Sequence, residues 1–311
     1  MSQRIAELPV ETLRAGLAGD GLSLDLGAAR VRIRSDVDAL APLLKTVYGS
    51  FTLEPAGGVC DVTATLRRKG GLRRFVRPQL EILIDGAVDF EPFPIDTPLP
   101  LLEWGMNYAL AQRASWCLLL HAGVVERGGR AIVLPAMPGA GKSTLTAALA
   151  ARGFRLLSDE FGVVGFADSR LTPLLRPVAL KNQSIDVIAQ FAPDVVLGPR
   201  YPKTHKGTVA HLAPALTHVA AKHVTAAPGL VIFPRYVASA GVEVEPVTRA
   251  RAFARLAVNS FNYEFLGALG FDALGRLIAG SEAYQLRYGD LEGAIAKIGS
   301  LIDALPPPSA S

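Results

Sequence analysis

Between residues 22 and 95 apolar and polar positions alternate in short runs, and the period of two predicts strands at 22–26, 30–34, 59–67, 72–76, 80–84 and 88–93. Paired glycines and Asp85-Gly86 supply the turns between them. One helix interrupts the strands at about 37–48, with Asp36 as its expected N-cap. A second helix, 100–114, puts Leu102, Met106, Ala109 and Leu110 on one face and is expected to bridge two halves of the chain.

Past residue 115 the grammar changes to strands interleaved with helices. Strands are predicted at 116–126, 131–134, 155–158, 163–166, 230–233, 242–247 and 283–288. Helices are predicted at 142–152, 184–191, 249–259, 263–279 and 291–305. The expected fold class is therefore α/β, a sheet with helices on its faces, preceded by a small α+β domain. The expected divisions are 1–99 for that small domain, 100–114 for the bridge, 115–305 for the α/β domain and 306–311 for a frayed tail.

Half of the 311 residues are hydrophobic, enough for one large core or two ordinary ones, so disorder is excluded as the overall state. The net charge of +4 is mild, and the arginines are dispersed except around Gly70-Gly71. Arg67, Arg68, Lys69, Arg73, Arg74 and Arg77 read there as the polar flanks of a hairpin, and no nucleic-acid partner is expected. Cys60 and Cys117 have no second cysteine or histidine at metal-ligand spacing, which suits buried thiols in a reducing cytoplasm. The N-terminus has no uninterrupted apolar stretch, and no later run approaches the roughly eighteen apolar residues of a membrane span. A cytoplasmic protein without a membrane span is the expectation.

The chemistry is concentrated in AIVLPAMPGAGKSTLTAALA, residues 131–150. A hydrophobic strand, a loop of small residues and an alanine-rich helix follow one another directly, and that context identifies a phosphate-binding P-loop of the Walker A kind. Successive backbone amides at a helix N-terminus can surround a phosphate only where side chains stay out of the way, which Pro138, Gly139, Ala140 and Gly141 permit. Lys142 is expected on the terminal phosphates, the Ser143 hydroxyl on magnesium, and Thr144 on the first phosphate of bound ATP. Ala136 stands where the G-x-x-x-x-G-K-[ST] pattern has its first glycine, which the loop tolerates if that residue keeps a negative φ.

Asp159 and Glu160 end the next strand. Two carboxylates there suit proton transfer at Asp159 and magnesium binding at Glu160, or else they simply cap the turn to Phe161-Gly162. His121, inside LLLHAGVV on the strand before the P-loop strand, is either a satisfied core histidine or part of the transfer site. His205, His211, His218 and His223 show no convincing metal spacing, and 201–207, YPKTHKG, reads as a mobile basic loop, either a cover for the site or plain solvated chain.

His121-Ala-Gly-Val-Val, Pro138-Gly-Ala-Gly-Lys-Ser143 and Leu156-Leu-Ser-Asp-Glu160 together resemble the catalytic domain of HPr kinase/phosphorylase and its HPr kinase-related homologues, over about residues 115–300. The resemblance implies a fold akin to the core of phosphoenolpyruvate carboxykinase and a kinase using ATP and Mg2+. It implies that Asp159 is the proton acceptor, His121 an active-site histidine, Lys142 the P-loop lysine and Ser143 a metal ligand. It also points to Arg249 or Arg251, within Glu245-Pro-Val-Thr-Arg-Ala-Arg251, as a catalytic arginine. Residues 180–187 are similar to the family's signature region, without its metal-binding glutamate.

The first third does not look like the parent enzyme's N-terminal domain, and relatives of this kind accompany peptide tailoring and surface-polysaccharide or protein-sorting genes. The implied partner is a serine hydroxyl on a protein or peptide, with a small hydroxyl compound as the alternative. The family's catalytic domains form hexamers, so a homo-oligomer is possible. A nucleotide-gated binding module, or an NTPase switch, is the reading from another class.

Overall fold

The computed structural model describes residues 3–55, 57–71, 76–88, 90–137 and 139–307. After a short 3-10 turn at Ile5–Glu7, the N-terminal half runs α1 (Val10–Ala18), β1 (Leu22–Asp25), β2 (Arg30–Ser35), α2 (Leu40–Val47), β3 (Val62–Arg68), β4 (Gln79–Ile84), β5 (Ala87–Val88), β6 (Phe93–Pro94) and α3 (Pro98–Arg113). Its six strands make one sheet in the order β1-β2-β3-β4-β5, with β6 also on β4. The alternation read from sequence is visible as alternating burial along β2, β3 and β4. Their inward residues, such as Ile33, Leu66 and Ile82, are fully buried, and α3 packs on this sheet through β3 and β4.

The second half continues with β7 (Leu118–Arg127), β8 (Arg130–Pro135), α4 (Lys142–Ala151), β9 (Arg155–Ser158), β10 (Phe161–Val164), β11 (Leu171–Thr172), β12 (Val178–Lys181) and α5 (Gln183–Phe191). Then come β13 (Tyr201–Thr204), β14 (Gly207–Leu212), α6 (Leu216–Ala220), β15 (Ala227–Tyr236), β16 (Glu243–Pro246), α7 (Arg249–Val258), α8 (Tyr263–Leu266), α9 (Ala268–Ala279), β17 (Glu282–Tyr288) and α10 (Leu291–Asp303). The main sheet has the order β11-β10-β7-β8-β15-β17-β16, with β9 also on β7; β8, β15 and β17 are mutually parallel. One hydrophobic cluster joins α4, α10 and the whole N-terminal half; a second, on α7 and α9, covers the opposite side.

The two halves are tied by backbone. The Ala28 amide donates to the Pro173 carbonyl at 2.8 Å, and the Leu175 amide to the Leu26 carbonyl at 2.8 Å. Gly27 lies between them at φ +102°, where a Cβ would stand 2.4 Å from the Pro173 oxygen, so only glycine fits. The bridging helix α3 thus belongs to a core continuous with both halves.

Several expectations are corrected. Helix α1 was not foreseen. Asp36 does not cap α2, which starts at Leu40 after Ala39; its carboxylate instead accepts the Arg68 amide at 3.0 Å, because β3 lies alongside. The helix expected over 263–279 is broken at Gly267, whose φ of 54° and ψ of −124° are not helical. The strand expected over 88–93 is two short pieces, both paired to β4. Residues 201–207 are a β-hairpin, not a loop, within a three-stranded sheet β12-β14-β13 that the pattern did not reveal. In the strand expected at 72–76, residues 72–75 lie outside the described residues and Val76 is not in a strand; β3 pairs antiparallel with β4 instead, with Arg67 2.6 Å from Glu81.

Candidate active site

The strand β8 ends at Pro135 and α4 begins at Lys142, so the intervening turn sits at the carboxyl end of the parallel strands, where α/β sheets place their ligands. Gly139 and Gly141 have φ of +87° and +92°. At Gly141 there is also no room for a Cβ, which would lie 2.8 Å from the Tyr288 hydroxyl. The Tyr236 amide donates to the Ala140 carbonyl at 3.2 Å and pins the loop to the end of β15. Ala136 is not among the positive-φ residues, which meets the condition set for replacing the first glycine. Pro138 lies outside the described residues.

Helix α4 is held against β7 at one close approach. The Thr146 hydroxyl donates to the Lys142 carbonyl at 2.9 Å, and its side chain fills the space over Gly123, where a Cβ would fall 2.2 Å from Oγ1. A glycine in the middle of a strand is thereby explained by backbone approach.

Lys142 is almost fully buried, and its Nζ is 3.1 Å from Asp159 Oδ1 and also donates to the Asp159 carbonyl. Asp159 and Glu160 occupy the break between β9 and β10, two segments that follow one another antiparallel along β7. The Phe161 amide donates to Ser158 Oγ at 3.1 Å and closes that turn. The other carboxylate oxygen of Asp159, Oδ2, is buried without a hydrogen-bond partner among the described residues.

His121 stands on β7 with Nδ1 3.4 Å from Glu160 Oε2, and Phe261 packs edge-on against its ring at 5.4 Å. Its backbone is clamped by Asn259, which accepts the His121 amide at 2.8 Å and donates its Nδ2 to the His121 carbonyl at 2.7 Å. Burial, and then the Lys142 charge, push the imidazole pKa down, so His121 is neutral at neutral pH. For Glu160, burial acts upward but is outweighed by Lys142, His121 and Lys181, and the carboxyl is held below its ordinary range. The pair is a neutral imidazole beside a carboxylate.

Around these residues lies a cleft of about 380 Å³, lined by His121, by Gly139, Gly141, Lys142, Ser143 and Thr144 of the loop, by Glu160, and by Lys181, Asn182 and Ser184. It adjoins a narrow pocket of about 20 Å³ that shares Glu160, Ala179 and Lys181 and adds Asp159, Arg176, Lys206 and His211. Helix α3 contributes Glu103, Trp104 and Asn107 to this second space. There Arg176 donates to Glu103 at 2.5 Å and also contacts Asn107, while the Tyr48 hydroxyl donates to the other Glu103 oxygen at 2.6 Å. His211 is fully buried, with neither ring nitrogen hydrogen-bonded among the described residues, and burial pushes its pKa down to about 4.

No protein-family model matches the chain. No curated protein matches it either. Among solved structures, the chain is distantly similar to the Hpr(Ser) kinase/phosphatase from Coxiella burnetii, at 12% identity and a TM-score of 0.23, over 60% of this chain and 93% of that one. So low a score carries no argument about activity, which has to be built from the side chains.

Of the residues singled out in sequence, His121, Lys142, Ser143, Thr144, Asp159 and Glu160 converge on the two adjoining spaces, along with Gly139 and Gly141. Arg249 and Arg251 do not line either space. They open α7 under a Thr248 cap, and it is the far end of that helix, at Asn259, that touches His121. Among the described residues there is no cluster of three or more His, Cys, Asp or Glu side chains able to hold a metal. Ser143 and Glu160 nevertheless give the cleft a hydroxyl and a carboxylate, the hard oxygen donors that suit magnesium arriving with phosphates and water.

Lys181, Asn182 and Ser184 fall in the segment 180–187 that resembles the family's signature region, but had no individual role in the sequence reading; all three are on the cleft wall. Asn182 holds φ 52° and ψ −126°, strained for a non-glycine, and is kept there by exchange with Thr208: its amide donates to the Thr208 carbonyl at 2.8 Å and its Oδ1 accepts the Thr208 amide at 3.0 Å. Lys-Asn-Gln-Ser after a strand was the available signal. Glu103, Arg176 and His211 had none, since they come from three remote segments.

Proposed function

We propose that this chain is an ATP-dependent phosphotransferase that moves the terminal phosphoryl group onto a hydroxyl, the serine of a protein or peptide. The observation that carries the reading is the junction of a positive-φ glycine loop with a buried Lys142–Asp159 pair whose second carboxylate oxygen is unengaged. The loop amides and Lys142 would hold the phosphates in the cleft, whose volume lies within the several-hundred-Å³ range typical of ligand sites. The acceptor oxygen bonds to the γ-phosphorus as the bond from phosphorus to the bridging oxygen breaks, and that electron pair leaves with ADP. The hydroxyl proton passes to Asp159 Oδ2, an acceptor free of competing hydrogen bonds. Ser143 and Glu160 would hold magnesium, which when bound supplies positive charge to the phosphate oxygens. His121 and Glu160 also line the cleft.

The Lys142–Asp159 contact also favours a second reading. The lysine is engaged by Asp159, so phosphates must share or break that pair, which is how a nucleotide-gated module would be set. Incubation with terminally labelled ATP and a cell lysate separates the two. Label on a protein acceptor supports the transferase, inorganic phosphate alone means an NTPase switch, and neither product with nucleotide bound means a binding module.

A further inference from the structure

Charges around the narrow pocket are unevenly paired. Asp159 is engaged by Lys142, Glu103 by Arg176, and Glu160 lies against His121. Lys181 and Lys206 remain, and neither forms an ion pair among the described residues, although both line the pocket beside Asp159 and Glu160. They are held there by architecture. Lys181 ends β12, and Lys206 is at the turn of the β13–β14 hairpin, with its ammonium 5.2 Å over the Trp104 ring. His205 stacks on the same ring at 4.3 Å, so α3 of the N-terminal half fixes the hairpin tip. Burial and then the Lys181 charge push the Lys206 pKa down, with the Glu160 carboxylate opposing them.

We propose that the acceptor is an acidic peptide segment, its reacting side chain entering beside Asp159 and Glu160 while a flanking carboxylate sits between Lys181 and Lys206. This rests on the phosphotransfer reading and names its substrate class. Space favours a peptide over a metabolite. The pocket is narrow, about 20 Å³ and room for about one water, so a whole small molecule does not fit inside it. A side chain reaching in from a backbone outside does fit, and its neighbours then fall on the rim, where both lysines are exposed. Charge-assisted contacts at such a rim select sequence and speed encounter.

The test uses the full chain, labelled ATP with magnesium, and three glycine-alanine peptides with one central serine, flanked by aspartates, glutamines or lysines. Free glycerate serves as the small hydroxy acid. The aspartate peptide is expected to be labelled roughly tenfold or more faster than the lysine peptide, an effect of the size expected for one or two partly desolvated charge pairs. Lys206→Glu is expected to invert that ratio, and Lys206→Arg to retain it, which a merely structural role of the side chain would not produce. Equal labelling of the three peptides, a ratio unmoved by Lys206→Glu, or preference for glycerate overturns the inference while leaving phosphotransfer standing. Nucleotide binding with no label on any of the four removes the phosphotransfer reading, and this one with it.

Discussion

The P-loop and the pocket behind it are neighbours built in opposite ways. The loop is made from one continuous run, residues 136–144, in which backbone conformation matters more than side chains. The pocket is assembled from α3, from the strand break at Asp159 and from the β14 hairpin, and is held by buried polar groups: Glu103, Arg176 and His211. A site made by local backbone geometry tolerates change around it. One made by remote charges depends on every partner, since a buried ion left alone is far more costly than a pair is beneficial.

The sharpest way to separate the two is at the atom where they meet. Asp159→Asn keeps the shape and the Lys142 contact with the backbone carbonyl but removes the proton acceptor. Phosphotransfer is expected to fall by roughly 10²–10⁴-fold, whereas calorimetric titration should find nucleotide affinity unchanged or higher, because the phosphates no longer compete for Lys142. If affinity and transfer vanish together, Asp159 belongs to the architecture of the loop and the proton-acceptor role is wrong.

Next in size is a break on the pocket side. Arg176→Met strands the Glu103 carboxylate, 4% exposed by side chain, with the Tyr48 hydroxyl as its one remaining side-chain donor among the described residues. Urea unfolding is expected to show a loss of about 3–5 kcal/mol. A loss under about 1 kcal/mol, the scale of an exposed pair, would mean water reaches Glu103 and the pocket is not the closed network described.

The contrast also explains what was legible beforehand. Lys142, Ser143, Asp159 and Glu160 stood out because their neighbours in sequence are their neighbours in space, as in most strand-turn-helix sites. The hairpin at 201–207 did not, because Pro202 and two lysines mask the alternation of a strand whose partner, β14, was itself unrecognised. Asp36 misled for the reverse reason: a good local capping residue was claimed by the amide of Arg68, 32 positions away. Glu103, on α3, carried no such local signal. Only its distance to Arg176 turns it into a site residue.

A pH series sharpens the pocket further. His211 is neutral in the folded chain, with its pKa down near 4, while in the unfolded chain it titrates near its ordinary 6.5. Between those values the unfolded state binds a proton that the folded state refuses, so stability is full above about pH 6.5 and declines as pH falls toward 4. At about 1.4 kcal/mol per pKa unit, the loss attributable to this one side chain is roughly 3 kcal/mol. Comparing wild type with His211→Leu by urea unfolding between pH 7 and pH 4.5 cancels the titration of the other groups. The difference is expected to grow on the acid side, and parallel curves would show that His211 is hydrated and not buried neutral.

The smallest effect is expected on the loop side, and it tests whether that region rests on contact geometry alone. A Cβ added at Gly123 would come 2.2 Å from Thr146 Oγ1, too close for the two to coexist without α4 moving. Gly123→Ala is therefore expected to cost about 1–3 kcal/mol as overpacking, and to weaken nucleotide binding because α4 carries Lys142 and Ser143 at its start. Thr146→Ala removes the obstructing hydroxyl and only a local bond to the Lys142 carbonyl, so alone it should cost little. In the double variant most of the Gly123→Ala loss should be recovered, giving a favourable coupling in the cycle. Additive losses would mean that Gly123 is needed for its own backbone and not for the approach of the helix. The registration of α4 against β7 would then have to come from the apolar contacts of Leu145 and Leu149, both fully buried, instead.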